Sequence, residues 1–146
     1  MIYIQMNDCH VPQIAELEKL CFDDPWSENS IASELNNRLS TWFVAVEENT
    51  VVGYVGSQTV LGETDMMNIA VHPDYRKMGI ATKLIHVLIN ELSQQGSHSL
   101  MLEVRASNKH AISLYKNLEF IEVGRRKNYY RNPKEDALIM RKEWNL

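Results

Sequence analysis

One stretch decides what this chain can become: residues 66–82, M-M-N-I-A-V-H-P-D-Y-R-K-M-G-I-A-T. Residues 66–71 form an apolar run long enough for a buried strand. Pro73 then closes off sheet pairing, because proline has no amide hydrogen and a fixed φ. Behind it follow Arg76, Lys77, Met78, Gly79, Ile80, Ala81 and Thr82, and a helical periodicity begins at Gly79. A strand that passes through a basic, glycine-bearing turn into a helix aims a row of free amide hydrogens at one point. The first four N–H groups of a helix have no partner within it and carry partial positive charge. Anions, phosphates above all, bind at such a place. Gly79 lets a ligand approach the backbone, and Ala81 keeps a neighbouring position small. The same letters also suit an ordinary strand–turn–helix that binds nothing.

The rest of the chain builds an α/β frame around that stretch. Residues 2–5 read as a first strand, Asp8 as the cap of a helix tolerating Pro12 in its first turn. Val11, Ile14, Leu17 and Cys21 recur at helical spacing. Residues 23–27 break that helix, and Ser27 can cap a second one carrying Ile31 and Leu35. Residues 41–47 and 50–60 form a hairpin about Glu48 and Asn49, with Gly53 and Gly56 marking a bend or bulge. The helix from Gly79 places Ile80, Leu84, Val87, Leu88 and Leu92 on one face and ends at a left-handed Gly96. Residues 99–104 are a short buried strand, parallel to the one before because a helix crosses between them. Ser107 or Asn108 caps a helix over residues 109–118, and residues 120–130 and 135–141 close the chain as an antiparallel pair. The expectation is one domain over residues 1–146 with a mixed, mostly antiparallel sheet.

Composition narrows the partners. A hydrophobic share of 45% against 23% charged fits a globular chain rather than a disordered one. No apolar run approaches a membrane span and no basic-then-apolar leader opens the sequence, so the cytoplasm is the expected location. Cys9 and Cys21 are not in a C-x-x-C pair, which favours free thiols, and the five histidines lack metal-ligand spacing. The net charge of −4 divides unevenly: residues 1–65 hold 11 acidic and 2 basic residues, residues 66–146 hold 8 and 13. The basic half suits an anionic cofactor at the glycine turn, and the acidic half suits a cationic substrate. Two unrelated solvated faces would give the same count. A pI of about 5.7 argues against nucleic acid as the main partner.

Glu103 interrupts an apolar strand. Leu100, Leu102 and Val104 share one face by alternation, which leaves Met101 and Glu103 on the other. Ligand crevices in α/β sheets form at the carboxyl ends of parallel strands, so a carboxylate there suits a general base. Alternatively it simply faces water or pairs with Arg105. Asn108 and Tyr115 are seven residues apart and share a helix face, about 10 Å along the axis. They can contact two parts of one extended ligand, or serve as a cap and a core tyrosine.

With these motifs in view, the chain resembles the GNAT family of acyl-CoA N-acetyltransferases, whose cofactor loop reads Q/R-x-x-G-x-G/A. Here Arg76, Gly79 and Ala81 stand at that spacing. L-E-V-R-A-S-N at 102–108 and A-I-S-L-Y at 111–115 match the second half of that fold. P-W-S at 25–27, E-V-R-A-S-N at 103–108, N-Y-Y at 128–130 and E-D-A-L-I-M at 135–140 resemble more narrowly the branch that acetylates ribosomal-protein N-terminal alanines. The resemblance implies a seven-stranded sheet flanked by about four helices, acetyl-CoA as acetyl donor, no metal, and a protein N-terminus as acceptor. Carried over by position, it makes Glu103 the general base and Tyr115 the general acid. Strand amides of Ile69, Ala70 and Val71 would hold the pantetheine arm. Arg76 and the loop Lys77, Met78, Gly79, Ile80, Ala81 and Thr82 would cradle the pyrophosphate, with Asn108 also on the cofactor. Tyr129 and Tyr130 would hold the peptide. A lysine or small-amine acetyltransferase, or a silent acyl-CoA-binding module, remain alternatives on the same motifs. One position departs from the pattern: Glu119 stands where the family has glycine after the tyrosine-bearing helix, which makes that turn an expected point of strain.

Overall fold

The computed structural model describes residues 1–144. Its strands are β1 (Ile2–Gln5), β2 (Ser40–Glu47), β3 (Thr50–Val60), β4 (Glu63–Val71), β5 (Ser99–Arg105), β6 (Ile121–Arg131) and β7 (Lys134–Glu143). Its helices are α1 (Val11–Cys21), α2 (Glu28–Glu34), α3 (Ile80–Gln94) and α4 (Lys109–Asn117). All seven strands form one sheet in the order β1-β2-β3-β4-β5-β7-β6. Every pairing is antiparallel except β4 with β5, which α3 connects as a crossover.

Alternation along the central strands supplies a core to each face of the sheet. Trp42, Val44, Val46, Val51 and Tyr54 pack with Ile14, Leu17 and Ile31 of α1 and α2. Phe43, Ala45, Val52, Val55, Leu100 and Leu102 pack with Leu84, Ile85 and Leu88 of α3 and with Ile112 and Tyr115 of α4. On α3 it is Ile85 rather than Val87 that is fully buried. The first helix also begins differently from the expectation. Asn7, not Asp8, accepts the Cys9 N–H at 3.0 Å, and Asp8 lies inside a single 3₁₀ turn that leads into α1. Ser27 does cap α2, accepting the Ser30 N–H.

The hairpins follow turn chemistry. Glu48 and Asn49 both have positive φ, and so do Leu61 and Gly62, the pattern of two-residue turns that match strand twist. The second of these brings β4 in at Glu63, three residues ahead of the apolar run. Gly56 marks a real irregularity: it faces Asn68 while Ser57 faces Met66, so Met67 bulges out of β4. A Cβ on Gly56 would stand 2.3 Å from the Trp42 indole, which is why only glycine fits there. Gly96 is left-handed at φ 92° as expected, and both cysteines are free.

Candidate active site

The parallel pairing of β4 with β5 is short. Glu63, Thr64 and Asp65 pair with Ser99, Leu100 and Met101, and there the ladder stops. Farther on, β4 bonds only β3 and β5 bonds only β7 among the described residues. The two strands therefore part into a wedge at their carboxyl ends, where α3 and α4 begin. Ligand crevices in such sheets form at this kind of opening.

The β4 wall of the wedge presents unpaired backbone. His72 N–H bonds the Val52 carbonyl at 2.8 Å, which sets the alternation for the strand. Ala70 is therefore turned into the sheet towards Tyr54, while Ile69 and Val71 turn their polar groups outward. The side chains agree with this. Ile69 N–H donates to Asn68 Oδ1 at 3.1 Å, and the Val71 carbonyl accepts from Arg76 Nε at 3.1 Å. Of the three residues expected to offer strand amides, Ile69 and Val71 turn their N–H groups away from β3 and Ala70 turns its own towards it. Arg76 itself folds back on the strand end rather than standing free in the turn.

At the mouth of the wedge, Lys77 and Gly79 have φ of 64° and 78°. Gly79 is the N-cap of α3, and it supplies no side chain to satisfy the first-turn amides at Ile80, Ala81 and Thr82. Nothing lies within 4 Å of where its Cβ would be, so the approach to those amides is open. Lys77 and Met78 are exposed beside it. A diphosphate fits this arrangement: donors converge, charge is positive, and no side chain blocks the way. On the opposite wall Asn108, not Ser107, caps α4 by accepting the Ala111 N–H at 3.1 Å.

Glu103 projects from β5 on the face expected from alternation, its side chain about one quarter exposed at 24%. Its partner is not Arg105. Oε2 is buried and lies 3.4 Å from Arg126 Nε of β6 without forming a hydrogen bond, so an acceptor position is left open. Arg105 instead pairs with Glu135 at 3.3 Å and lies 4.3 Å over the Tyr130 ring. Tyr129 and Tyr130 stand edge to face, 5.1 Å between centroids. Burial, then the Glu103 carboxylate, pushes Tyr130 up to about 12 and raises Tyr129 as well. Tyr115 is buried against Phe120, 5.7 Å between centroids. Burial, with a smaller part from neighbouring Tyr130, lifts it to about 12. Glu103, Tyr115, Tyr129 and Tyr130 thus act on one another across one small region.

Arg126 and Asp65 belong to the same region and were not singled out from the sequence. Asp65 pairs with Met101, so it shares the face of Glu103, and burial followed by the Glu103 charge raises its pKa. Only the register of four strands brings these residues together. Asn68 and Glu18 lie close by, joined at 2.7 Å, and the lone asparagine in the apolar run M-M-N-I-A-V is the sequence signal that marks the first of them.

Comparison with known proteins agrees with this geometry. Residues 11–120 match the acetyltransferase (GNAT) family. A [ribosomal protein bS18]-alanine N-acetyltransferase of Escherichia coli strain K12 is 39% identical over 132 residues, 89% of this chain and 88% of that protein. The crystal structure of the ribosomal-protein-S18-alanine N-acetyltransferase from Escherichia coli superposes with a TM-score of 0.91 at 35% identity, covering 99% of this chain and 94% of that one. Arabidopsis thaliana NAA60 in complex with acetyl-CoA shares the fold at a TM-score of 0.91 and 20% identity, with 99% of each chain covered. The forked strands, the uncapped helix start behind Gly79 and these likenesses have one explanation: the chain belongs to the GNAT family of acetyltransferases.

Proposed function

We propose that this protein transfers the acetyl group of acetyl-CoA to the N-terminal α-amine of a protein, working in the cytoplasm as one acetyltransferase domain over residues 1–146. Its target is the N-terminal alanine of ribosomal protein bS18, the substrate for which its Escherichia coli relatives are named. The observation that carries this reading is the wedge itself. It has strand edges at Ile69 and Val71 that no neighbouring strand pairs among the described residues, an open helix start at Gly79, and a partly exposed carboxylate at Glu103.

Acetyl-CoA supplies an activated acetyl thioester. The amides of Lys77, Met78, Gly79, Ile80, Ala81 and Thr82 hold its diphosphate, and Arg76 and Asn108 line the same path. Ile69 and Val71 extend β4 by bonding the pantetheine arm as an added strand edge. Their outward N–H groups also stabilise negative charge that develops on the acetyl oxygen. An α-amine has a pKa of about 7.7–8.0 and is largely protonated at neutral pH, so it needs a base to become a nucleophile. Glu103 takes that proton through a water. Tyr115, held protonated by burial, donates towards the leaving sulfur. A phenol at about 12 is a weaker acid than an ordinary thiol, so the second proton that the nitrogen sheds as the amide forms replaces the one given to the thiolate, and no phenolate is left on Tyr115. Tyr129 and Tyr130 hold the peptide end beside Glu103. Cys9 and Cys21 both lie outside the sequence motifs assigned to the acetyl donor, although Cys21 Sγ stands 3.6 Å from Arg76, and the chemistry needs no acyl-cysteine.

The test is acetyl-CoA consumption with an alanine-starting peptide, the same peptide with its N-terminus blocked, and a lysine-bearing counterpart. A mass shift confined to the α-amine supports the proposal. Turnover of the blocked, lysine-bearing peptide would assign a side-chain acetyltransferase instead.

A further inference from the structure

Glu18 is buried at 1% exposure on α1 and has no part in the roles above. Its carboxylate gathers donors from three separate elements. Oε1 accepts the Trp26 N–H, in the turn between α1 and α2, at 2.8 Å. Oε2 accepts Asn68 Nδ2 from β4 at 2.7 Å, and the Tyr54 hydroxyl from β3. Asn68 follows the bulged Met67, and its own Oδ1 takes the cleft-facing N–H of Ile69. An unbroken chain of hydrogen bonds therefore joins the backbone at Trp26 to the open edge of β4. Trp26 is held further by Trp42, edge to face at 5.5 Å, and Trp42 stacks on Tyr54 at 5.8 Å.

A buried carboxylate is a costly way to hold a helix on a sheet when apolar residues do it more cheaply. What it provides is direction: three donors must point at two oxygens. The network also fixes which way the Asn68 amide is turned, since Nδ2 must face Glu18 and Oδ1 must face Ile69.

We infer that Glu18 and Asn68 are positioning residues for acetyl transfer, aiming the Ile69 amide into the wedge and tying the α1–α2 turn to it. The inference rests on the reading above, in which β4 carries the acetyl donor. A pantetheine carbonyl that approaches Ile69 N–H from the wedge shares that donor with Asn68 Oδ1, which holds it in place as a three-centre bond, so filling the wedge is felt at Trp26.

Glu18→Gln sets an amide NH₂ against either the Trp26 N–H or Asn68 Nδ2, donor against donor, and so breaks the chain at one of the two. Glu18→Gln with Asn68→Asp restores it with the polarity reversed. The introduced amide on α1 then donates to the introduced carboxylate on β4, and Ile69 N–H still finds an acceptor. Tyr54→Phe removes one bond to Glu18 and leaves the chain intact. We expect Glu18→Gln and Asn68→Ala to raise KM for acetyl-CoA about tenfold while kcat moves less. Adding coenzyme A to the wild type should change amide exchange at Trp26, and that response should vanish in Glu18→Gln. The double variant should recover both properties, and Tyr54→Phe should keep both at reduced melting temperature. Should Glu18→Gln not fold, Asn68→Ala and the double variant decide alone. Wild-type KM and exchange response in the single variants, or a double variant no better than they are, would overturn the inference alone. A wild-type chain that binds no coenzyme A would overturn the functional reading with it.

Discussion

Replacing Gly79 by alanine separates what the backbone needs at that position from what a ligand needs. The residue sits at φ 78° and ψ 12°, where an L side chain costs about 1–2 kcal/mol. Alanine also restricts the unfolded chain, which returns about 0.4–1 kcal/mol. No steric term is added, since a Cβ there meets nothing within 4 Å. The net loss is therefore about 0.5–1 kcal/mol, a fall of a few degrees in melting temperature for a chain of this size. The open space that spares the fold is the space a diphosphate must cross to reach the amides of α3. A methyl group in it displaces the anion from one of those N–H groups, each charge-assisted bond being worth about 1.5–3 kcal/mol. KM for acetyl-CoA should rise about ten- to hundredfold at a temperature well below the melt, with kcat little changed. Initial rates at varied acetyl-CoA, calorimetric binding of coenzyme A and a thermal melt read all three quantities. A variant with the lowered melt but unchanged KM and unchanged affinity would refute the phosphate cradle.

Glu103→Gln and Tyr115→Phe should each lower kcat by about 10²–10⁴-fold with small changes in KM, measured on the alanine-starting peptide. Unchanged rates in both variants would remove the roles assigned to them. Glu119→Gly should stabilise the protein by about 0.5–1 kcal/mol in urea denaturation, because φ at Glu119 is 71° and its contact with Lys142, at 3.9 Å on an exposed side chain, adds little. A destabilised glycine variant would mean that the left-handed strain is absent. Acid should loosen the β6–β7 arm. Ser107 and Arg105 hold Glu135 below its ordinary value of 4.5, and Asn128 and Arg125 hold Asp136 below 3.8. Folded values below unfolded ones mean stability that is complete above those ordinary values and lost as pH falls through the folded ones. The melting temperature of a Glu135→Gln, Asp136→Asn double variant should therefore approach that of the wild type as pH drops below about 4; a constant gap would contradict the assignment.

How much of this was legible depended on whether a signal was local. The strand, the proline stop and Gly79 lie within seventeen residues, and each acts on its neighbours, so the order strand–turn–helix could be read directly. Alternation put Glu103 on the correct face for the same reason. It could not say who stands opposite, because Arg126 arrives through two strand registers, β5 on β7 and β7 on β6. Arg105, only two residues on in sequence, goes to Glu135 instead. The choice of Ile69 and Val71 over Ala70 needed the β3 register, since one step would reverse which groups face outward. Glu18 was invisible for a different reason. A glutamate at a helical position reads as solvated surface unless its three donors are known, and they come from residues 26, 54 and 68. Glu119 shows the limit of motif matching: the turn keeps its left-handed geometry although its glycine is gone.

Three rungs alone join β4 to β5, so the seven-stranded layer is close to two leaves, β1 to β4 and β5 to β7, hinged near one end. A molecule wedged between the leaves would finish a ladder that the polypeptide leaves incomplete. Its binding energy would then appear as resistance to melting, about 2.7 kcal/mol at a hundredfold excess over the dissociation constant.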